Sequence, residues 1–345
     1  MAHFENITLE KGMYSVPGKS FTQVLEELDS SENYRGTSLE GLDAFQRQLK
    51  RYHIKVSGPG SDQVEQFFAS AGSAALFPEY VARAVRQGME RASKVTDLVA
   101  TVTKVDGMDY RTIDPEGGTW EPTTVAEGAQ LPQATLRLSS GLVKLYKRGQ
   151  VLQSSYEALR LQKLDLFTVA LAQVGAGIAA AQMGDAVDVL INGDGSKGGV
   201  SFTAAAGSTS LAYSDFLALW GSLAPYQLNV LVAGTDGIQK LLAIDEFKDA
   251  QAGLNFQGTG KLCTPLGATL VHVPGMAAGK IIALDKSCAL EMVQSGDICV
   301  DSGKLIDRQL DEISISATAG FARIFSGAAQ GVSYTTCLLY TSPSP

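Results

Sequence analysis

Histidine is scarce in this chain, with 3 in 345 residues. His3 is terminal and His53 follows a predicted helix. His272 sits in an apolar strand, where an imidazole satisfied by its neighbours is the expected reading rather than a general base. No G-x-S-x-G, H-E-x-x-H or paired-cysteine motif occurs, which argues against a nucleophile-elbow hydrolase or a zinc peptidase of the usual kind. A catalytic set could still be built from widely separated carboxylates. The 4 cysteines, Cys263, Cys288, Cys299 and Cys337, show neither C-x-x-C spacing nor a nearby histidine. They read as reduced, mostly buried thiols of an intracellular protein. Basic excess is missing as well. Against 28 Lys plus Arg stand 36 Asp plus Glu, giving net −8 and pI about 5, the opposite of the footprint of a protein that grips nucleic acid. The first ten residues carry acids and no apolar signal core, so the chain is expected to be made and used in the cytosol.

What the chain does have is one dominant stretch. The length allows one large or two modest domains, and hydrophobic residues at 45% with a mean hydropathy of +0.06 suit a soluble core. Between Leu164 and Gly199, apolar residues recur at Leu164, Phe167, Leu171, Val174, Ile178 and Ala181, then at Val187, Leu190 and Ile191, the spacing of one helical face. The pattern stops at the NGDG turn. From Leu164 to Leu190 such a helix spans roughly 40 Å, longer than a compact domain of this size needs and suited to a flat, extended subunit. Three sharper readings compete. Leu166 to Gly184 is uncharged and approaches membrane-span length, but Gln173, Gln182 and three glycines dilute it, so a buried soluble helix is preferred. Gly175, Gly177 and Ala180 match G-x-G-x-x-A, yet helical spacing continues through them, which favours a close helix contact over dinucleotide binding. Asp188 to Ser196 resembles a calcium loop with Leu190 at a ligand position and no closing glutamate, so a surface turn is the better reading.

Along the chain, Met1 to Gly36 is polar and weakly periodic, as an arm or partly disordered lead would be. Gly18-Lys19-Ser20 resembles the end of a phosphate loop, but the earlier glycine is displaced and no strand precedes it. Thr37 and Glu40 form a possible capping box before Leu39, Leu42, Phe45, Leu49 and Tyr52. Arg47, Lys50, Arg51 and Lys55 then make a basic side, either solvated or docking on an acidic neighbour. Ser61 or Asp62 can cap a short helix after Gly58-Pro59-Gly60. Phe77-Pro78-Glu79 opens a further helix with Tyr80, Val81, Ala84, Val85 and Met89. Strand-like DLVATVTKV follows, then a long loop, then QATLRLSSGLVKLYKRG with Leu136, Leu138, Leu142 and Leu145. Charge is segregated across this hairpin. Asp106, Asp109, Asp114, Glu116, Glu121 and Glu127 face only Arg111 on one half, whereas Arg137, Lys144, Lys147 and Arg148 meet no acid on the other. Within one hairpin this would give local neutralisation, and between subunits it would give complementary faces. Beyond the central helix come a helix capped by Ser214, a buried strand LNVLVAG, a helix Thr235 to Leu242, short strands TLVHV, IIAL and ALEMV, and a long closing strand ISISATAGFARIF. CLLYTSPSP at the end reads as a non-native extension.

The order of FPEYVARAVRQGM (Phe77 to Met89), the loop with Trp120, Glu127-Gly128-Ala129 and Pro132, SSYEALR (Ser154 to Arg160), INGDG (Ile191 to Gly195) with Gly198-Gly199, and GFARIF resembles the major capsid proteins of tailed bacteriophages. These have the Hong Kong 97 fold that encapsulin shells share. The resemblance covers roughly Phe77 to Gln330. It implies an α+β chain: an N-terminal arm over 1–76, a peripheral domain over 77–105 and 140–200 with a spine helix, an extended β-hairpin loop over 106–139, an axial domain over 201–308, a closing strand over 309–330 and a tail over 331–345. It further implies self-assembly into pentamers and hexamers of an icosahedral shell around double-stranded DNA, with no membrane, no cofactor, no catalytic or metal site, and scaffolding and portal proteins as partners. The location implied is the virion, assembled in the host bacterial cytoplasm. The inter-subunit contacts expected are Arg47, Lys50 and Arg51 from the arm and Glu116, Trp120, Glu121, Glu127, Arg137, Lys144 and Lys147 from the loop. Some relatives crosslink through a lysine of that loop; Lys144 and Lys147 lie near that region, and the resemblance assigns the role to neither. The alternatives are an encapsulin-like nanocompartment shell and a dinucleotide-binding enzyme built on Gly175 to Ala180.

Overall fold

A computed structural model of the chain describes residues 4–16, 18–115, 124–131, 136–207, 210–248 and 265–335. In chain order the helices are α1 (Phe21–Leu28), α2 (Ala44–Arg51), α3 (Ala71–Ala74), α4 (Phe77–Ala92), α5 (Tyr156–Leu161), α6 (Leu164–Asn192), α7 (Tyr213–Ser222), α8 (Thr235–Leu242) and α9 (Asp245–Lys248). The strands are β1 (Thr101–Val105), β2 (Ile113–Asp114), β3 (Arg137–Leu138), β4 (Leu145–Ser155), β5 (Phe202–Ala204), β6 (Val230–Ala233), β7 (Thr269–His272), β8 (Lys280–Leu284), β9 (Leu290–Leu305), β10 (Leu310–Arg323) and β11 (Ala329–Ser333). They form sheets ordered β1-β9-β10-β4 and β5-β11-β8-β6-β7 and a two-stranded ribbon β2-β3. The chain divides into two compact units, and α6, β9 and β10 each run from one into the other.

The first unit holds Met1–Ser93, Tyr146–Ala181 and Ser295–Thr318. Its core joins Phe21 and Leu25 of α1, Phe45 and Leu49 of α2, Phe77, Tyr80, Val81 and Val85 of α4, Leu164, Phe167, Leu171, Val174 and Ile178 of α6, and Ile313 and Ile315 of β10. Phe67, Phe77, Tyr80 and Phe167 cluster with ring centroids 5.2 to 6.4 Å apart. The helices start where side chains satisfy their free N–H groups. Ser20 and Gln23 form a capping box on α1, and Asp43 and Gln46 form one on α2. Pro78 occupies the first turn of α4, where its missing N–H costs nothing.

Three expectations change here. The leading segment is ordered, with α1 and short 3-10 turns packed into the core. The helix expected from Thr37 starts instead at Ala44, because Thr37 to Glu40 closes a turn in which the Glu40 carboxylate accepts from the Gly36 N–H. The Gly18-Lys19-Ser20 triplet is a helix start: Ser20 caps α1 and Lys19 pairs with Glu27.

The second unit holds Lys94–Leu145, Gln182–Gln294 and Ala319–Pro345. Strand β6 is buried along its whole length, as its unbroken VLVA run requires. It pairs parallel with β7 and antiparallel with β8, and β11 adds antiparallel to β8 and parallel to β5. Helix α7 starts without the Ser214 cap. The Asp215 carboxylate accepts instead from the N–H groups of Ala212 and Ala206. The turn after α6 uses Gly193 and Gly195 at φ +91°, and the Asp194 carboxylate accepts from the N–H groups of Ser196, Lys197 and Arg323. That carboxylate is committed to holding its own loop.

Candidate assembly surfaces

Helix α6 is apolar on every side, and such a helix is normally enclosed. Its mean hydropathy reaches 1.6 over the most apolar 18 residues, enough by length and composition to cross a membrane, yet only 39% of that window is buried. One face packs against α4 at very close range. A Cβ on Gly88 would lie 2.1 Å from the Ala172 carbonyl oxygen, and one on Gly175 would lie 2.1 Å from that of Val85. Gly175 is therefore a helix-contact glycine. The segment Gly175 to Ala180 is helical throughout, so the strand-to-helix turn that a dinucleotide site needs does not exist there. The opposite face carries Leu166 and Val169, 61% and 64% exposed. With Leu152, Gln162, Phe167 and Ile313 these two line an open groove of about 560 Å³.

The ribbon presents a second surface with exposed apolar side chains among the described residues. Ile113 of β2 faces Leu138 of β3 and Asp114 faces Arg137. A two-stranded ribbon has no second layer of its own to cover its apolar side chains. Leu138 is 69% exposed and Leu131, farther along, 72%. In the first unit, Tyr146, Lys147 and Arg148 of β4, the edge strand of its sheet, are exposed. Three further apolar side chains are exposed, at Ile306, Leu217 and Trp220. Ile306, 82% exposed at the turn between β9 and β10, had a weak signal, since isoleucine is foreign to turn chemistry. Leu217 and Trp220 lie one turn apart on α7 and are both exposed, and their spacing in the sequence does not say which side of the helix is covered.

The expected contact residues fall into three groups. Lys50, Glu127, Arg137, Lys144 and Lys147 are exposed. Glu116, Trp120 and Glu121 lie outside the described residues. Arg47 is a correction, because it is fully buried in its own unit. Its guanidinium donates to Asp29 at 3.1 Å, to the Ser31 hydroxyl and to the carbonyls of Asp29 and Leu42, and it stacks 4.4 Å above the Tyr34 ring. Arg51 is half-buried and donates to the carbonyls of Phe4 and Ile7. The basic cluster of α2 is thus divided: two of its arginines tie the leading segment down, and Lys50 alone of the three expected contacts stays on the surface.

Tyr80, Asp236 and His272 are each held by neighbours within the fold. Burial pushes the Tyr80 hydroxyl up to about 12, against the opposing hydrogen bond with Thr168, and Tyr80 also donates to the Leu164 carbonyl. Asp236 feels burial, which raises it, but the Gly279 N–H and the Tyr334 hydroxyl outweigh this and hold it below the ordinary range. His272 shares a 2.9 Å hydrogen bond with Thr235. Cys299 is exposed and Cys288 half-buried, against the expectation of mostly buried thiols, and Cys263 and Cys337 lie outside the described residues. Among the described residues no group of three or more His, Cys, Asp or Glu is placed to hold a metal.

No protein-family model and no curated protein matches the chain. Solved structures do. The capsid of an empty GTA particle, computed with C5 symmetry, aligns at TM-score 0.53 and 15% identity over 71% of this chain and 90% of that one. The capsid of the native GTA particle aligns at 0.53 and 15% over 72% and 91%. A structure from Microbacterium phage Oxtober96 aligns at 0.51 and 10% over 71% and 91%. With its long α6, its ribbon and its two sheets, the chain has the Hong Kong 97-like fold of these capsid proteins.

Proposed function

We propose that this chain is the major capsid protein of a tailed bacteriophage, which assembles with itself into pentamers and hexamers of an icosahedral shell around double-stranded DNA and is not an enzyme. The observation that carries this reading is the half-uncovered α6. A helix apolar all round leaves Leu166 and Val169 in water, and completing their burial against a neighbour gains about 1–2 kcal/mol per side chain. Repeated over every subunit of a shell, such small gains become decisive. The ribbon supports it, since Ile113, Leu136 and Leu138 are exposed and charge is segregated along the loop that carries them. A net charge of −8 fits a wall that encloses DNA without adhering to it. Scaffolding and portal proteins would be the partners, the virion the destination and the host bacterial cytoplasm the place of assembly.

The test is to change the open face without touching the core. Leu166→Glu with Val169→Glu should leave the melting temperature of the unassembled chain within a few degrees of wild type, because both positions already face water. The same pair should abolish particles in electron micrographs. Normal particle yield from this variant contradicts the reading.

A further inference from the structure

One buried carboxylate lies at the root of the ribbon. Glu291 of β9 is 5% exposed. Among the described residues its hydrogen-bond donors are three hydroxyls: Thr103 of β1 at 2.5 Å and Tyr110 at 2.8 Å on one carboxylate oxygen, and Thr112 at 2.5 Å on the other. Three hydroxyl donors converge in this way on the two oxygens of one carboxylate, which accept. The strand entering the loop and the first residues of the loop are thereby fixed to one side chain of the sheet.

The returning strand is fixed to the same place. The Val143 N–H donates to the Tyr110 carbonyl and the Ser139 N–H to the Thr112 carbonyl, each at 2.9 Å. Arg111 closes the join by donating to the carbonyls of Ser139 and Ser140. Val143, Val293 and Ala322, with Val105, Tyr110 and Leu145 against them, make a small apolar cluster at this point. A hydrophobic side chain at 291 would extend that cluster more cheaply than a buried charge does. What a carboxylate adds is direction, because three hydroxyls must point to one spot.

Direction matters to a loop that must meet another molecule. A rotation at the root displaces each residue beyond it in proportion to its distance, and a displacement of only about 3.4 Å equals one residue of strand register. A slip of one residue reverses which side chains face the partner.

We propose that Glu291 is a positioning residue: through Thr103, Tyr110 and Thr112 it sets the direction of the 106–139 loop and so the geometry in which a second copy is engaged. This rests on the shell reading. The test combines hydrogen exchange with particle imaging on the full chain, comparing wild type, Glu291→Gln, Tyr110→Phe and Thr112→Ser. In Glu291→Gln the amides of Ser139 and Val143 should exchange about tenfold faster or more, with β6 and β8 unchanged, since the loosening is local. Particles should be lost or close at wrong diameters. Tyr110→Phe should show the same changes more weakly, and it decides the matter if Glu291→Gln does not fold. Thr112→Ser keeps the hydroxyl and should match wild type in both readouts. Unchanged exchange overturns the clamp, and faster exchange with normal particles overturns the positioning role. Absence of particles from wild type itself counts against the shell reading, and the exchange measurement still judges the clamp.

Discussion

Arg47 shows how one residue can look like surface in a sequence and be core in a structure. It stands in a run with Lys50, Arg51 and Lys55, which reads as a solvated side, and charge alone does not say which cation turns inward. The deciding partner, Asp29, is 18 residues away and lies on no shared motif. Arg47→Ala should destabilise the folded chain by about 3–5 kcal/mol, because it strands the Asp29 carboxylate in the interior. Lys50→Ala should stay within about 0.5 kcal/mol, and urea denaturation distinguishes the two. Asp285 supplies a pH signature. It is 5% exposed, and burial alone would raise it. Bonds from the Ser287 hydroxyl, the Gln227 and Ser287 N–H groups and the Asn229 amide prevail and hold it below its ordinary value of 3.8. A carboxyl depressed on folding stabilises the native state fully above the unfolded value. That contribution is lost as pH falls through the lower native one. Unfolding free energy should therefore drop as pH falls below about 4, and Asp285→Asn should flatten this part of the profile.

At the scale of elements, the most legible features were those whose cause is local. Helix α8 runs from Thr235 to Leu242 as its pattern predicts, and α6 runs from Leu164 to the NGDG turn. Helix α2 was misplaced because two capping patterns compete within ten residues, and the one that loses is completed by the turn at Gly36. Strand β9 was read only as ALEMV. Its continuation through Gly296 and Asp297 is polar and is held in the sheet by β10, a partner that no local window contains. The loop's existence and charge pattern were readable, whereas the carboxylate that anchors its root was not, since Thr103 and Glu291 are 188 residues apart. The glycines of α6 give the sharpest check on packing. Gly175→Ala should cost about 1–3 kcal/mol or more, because its new Cβ meets the backbone of α4. Gly177→Ala has open space and should stabilise by up to about 1 kcal/mol. Equal effects at the two positions in thermal melts would show that the helices do not touch where described.

For the whole molecule, the account depends on apolar surface left open in both units: Leu166 and Val169 on α6, Leu131, Leu136 and Leu138 on the loop, Ile306 at a hairpin turn and Trp220 on α7. Single exposed apolar residues are ordinary. Their collection on a helix face, a ribbon and a turn fits a subunit that completes its burial with copies of itself. The sequence pointed the same way through its long apolar helix and the order of its motifs, but it could not say which apolar side chains would remain uncovered, because that depends on what the rest of the chain fails to reach. The most direct measurement is sedimentation velocity of the purified chain over a rising concentration series, with electron microscopy of each fast-moving fraction. The account predicts a concentration threshold above which the monomer is replaced by pentamers, hexamers and closed particles. A single monomeric boundary at every concentration and ionic strength would contradict it.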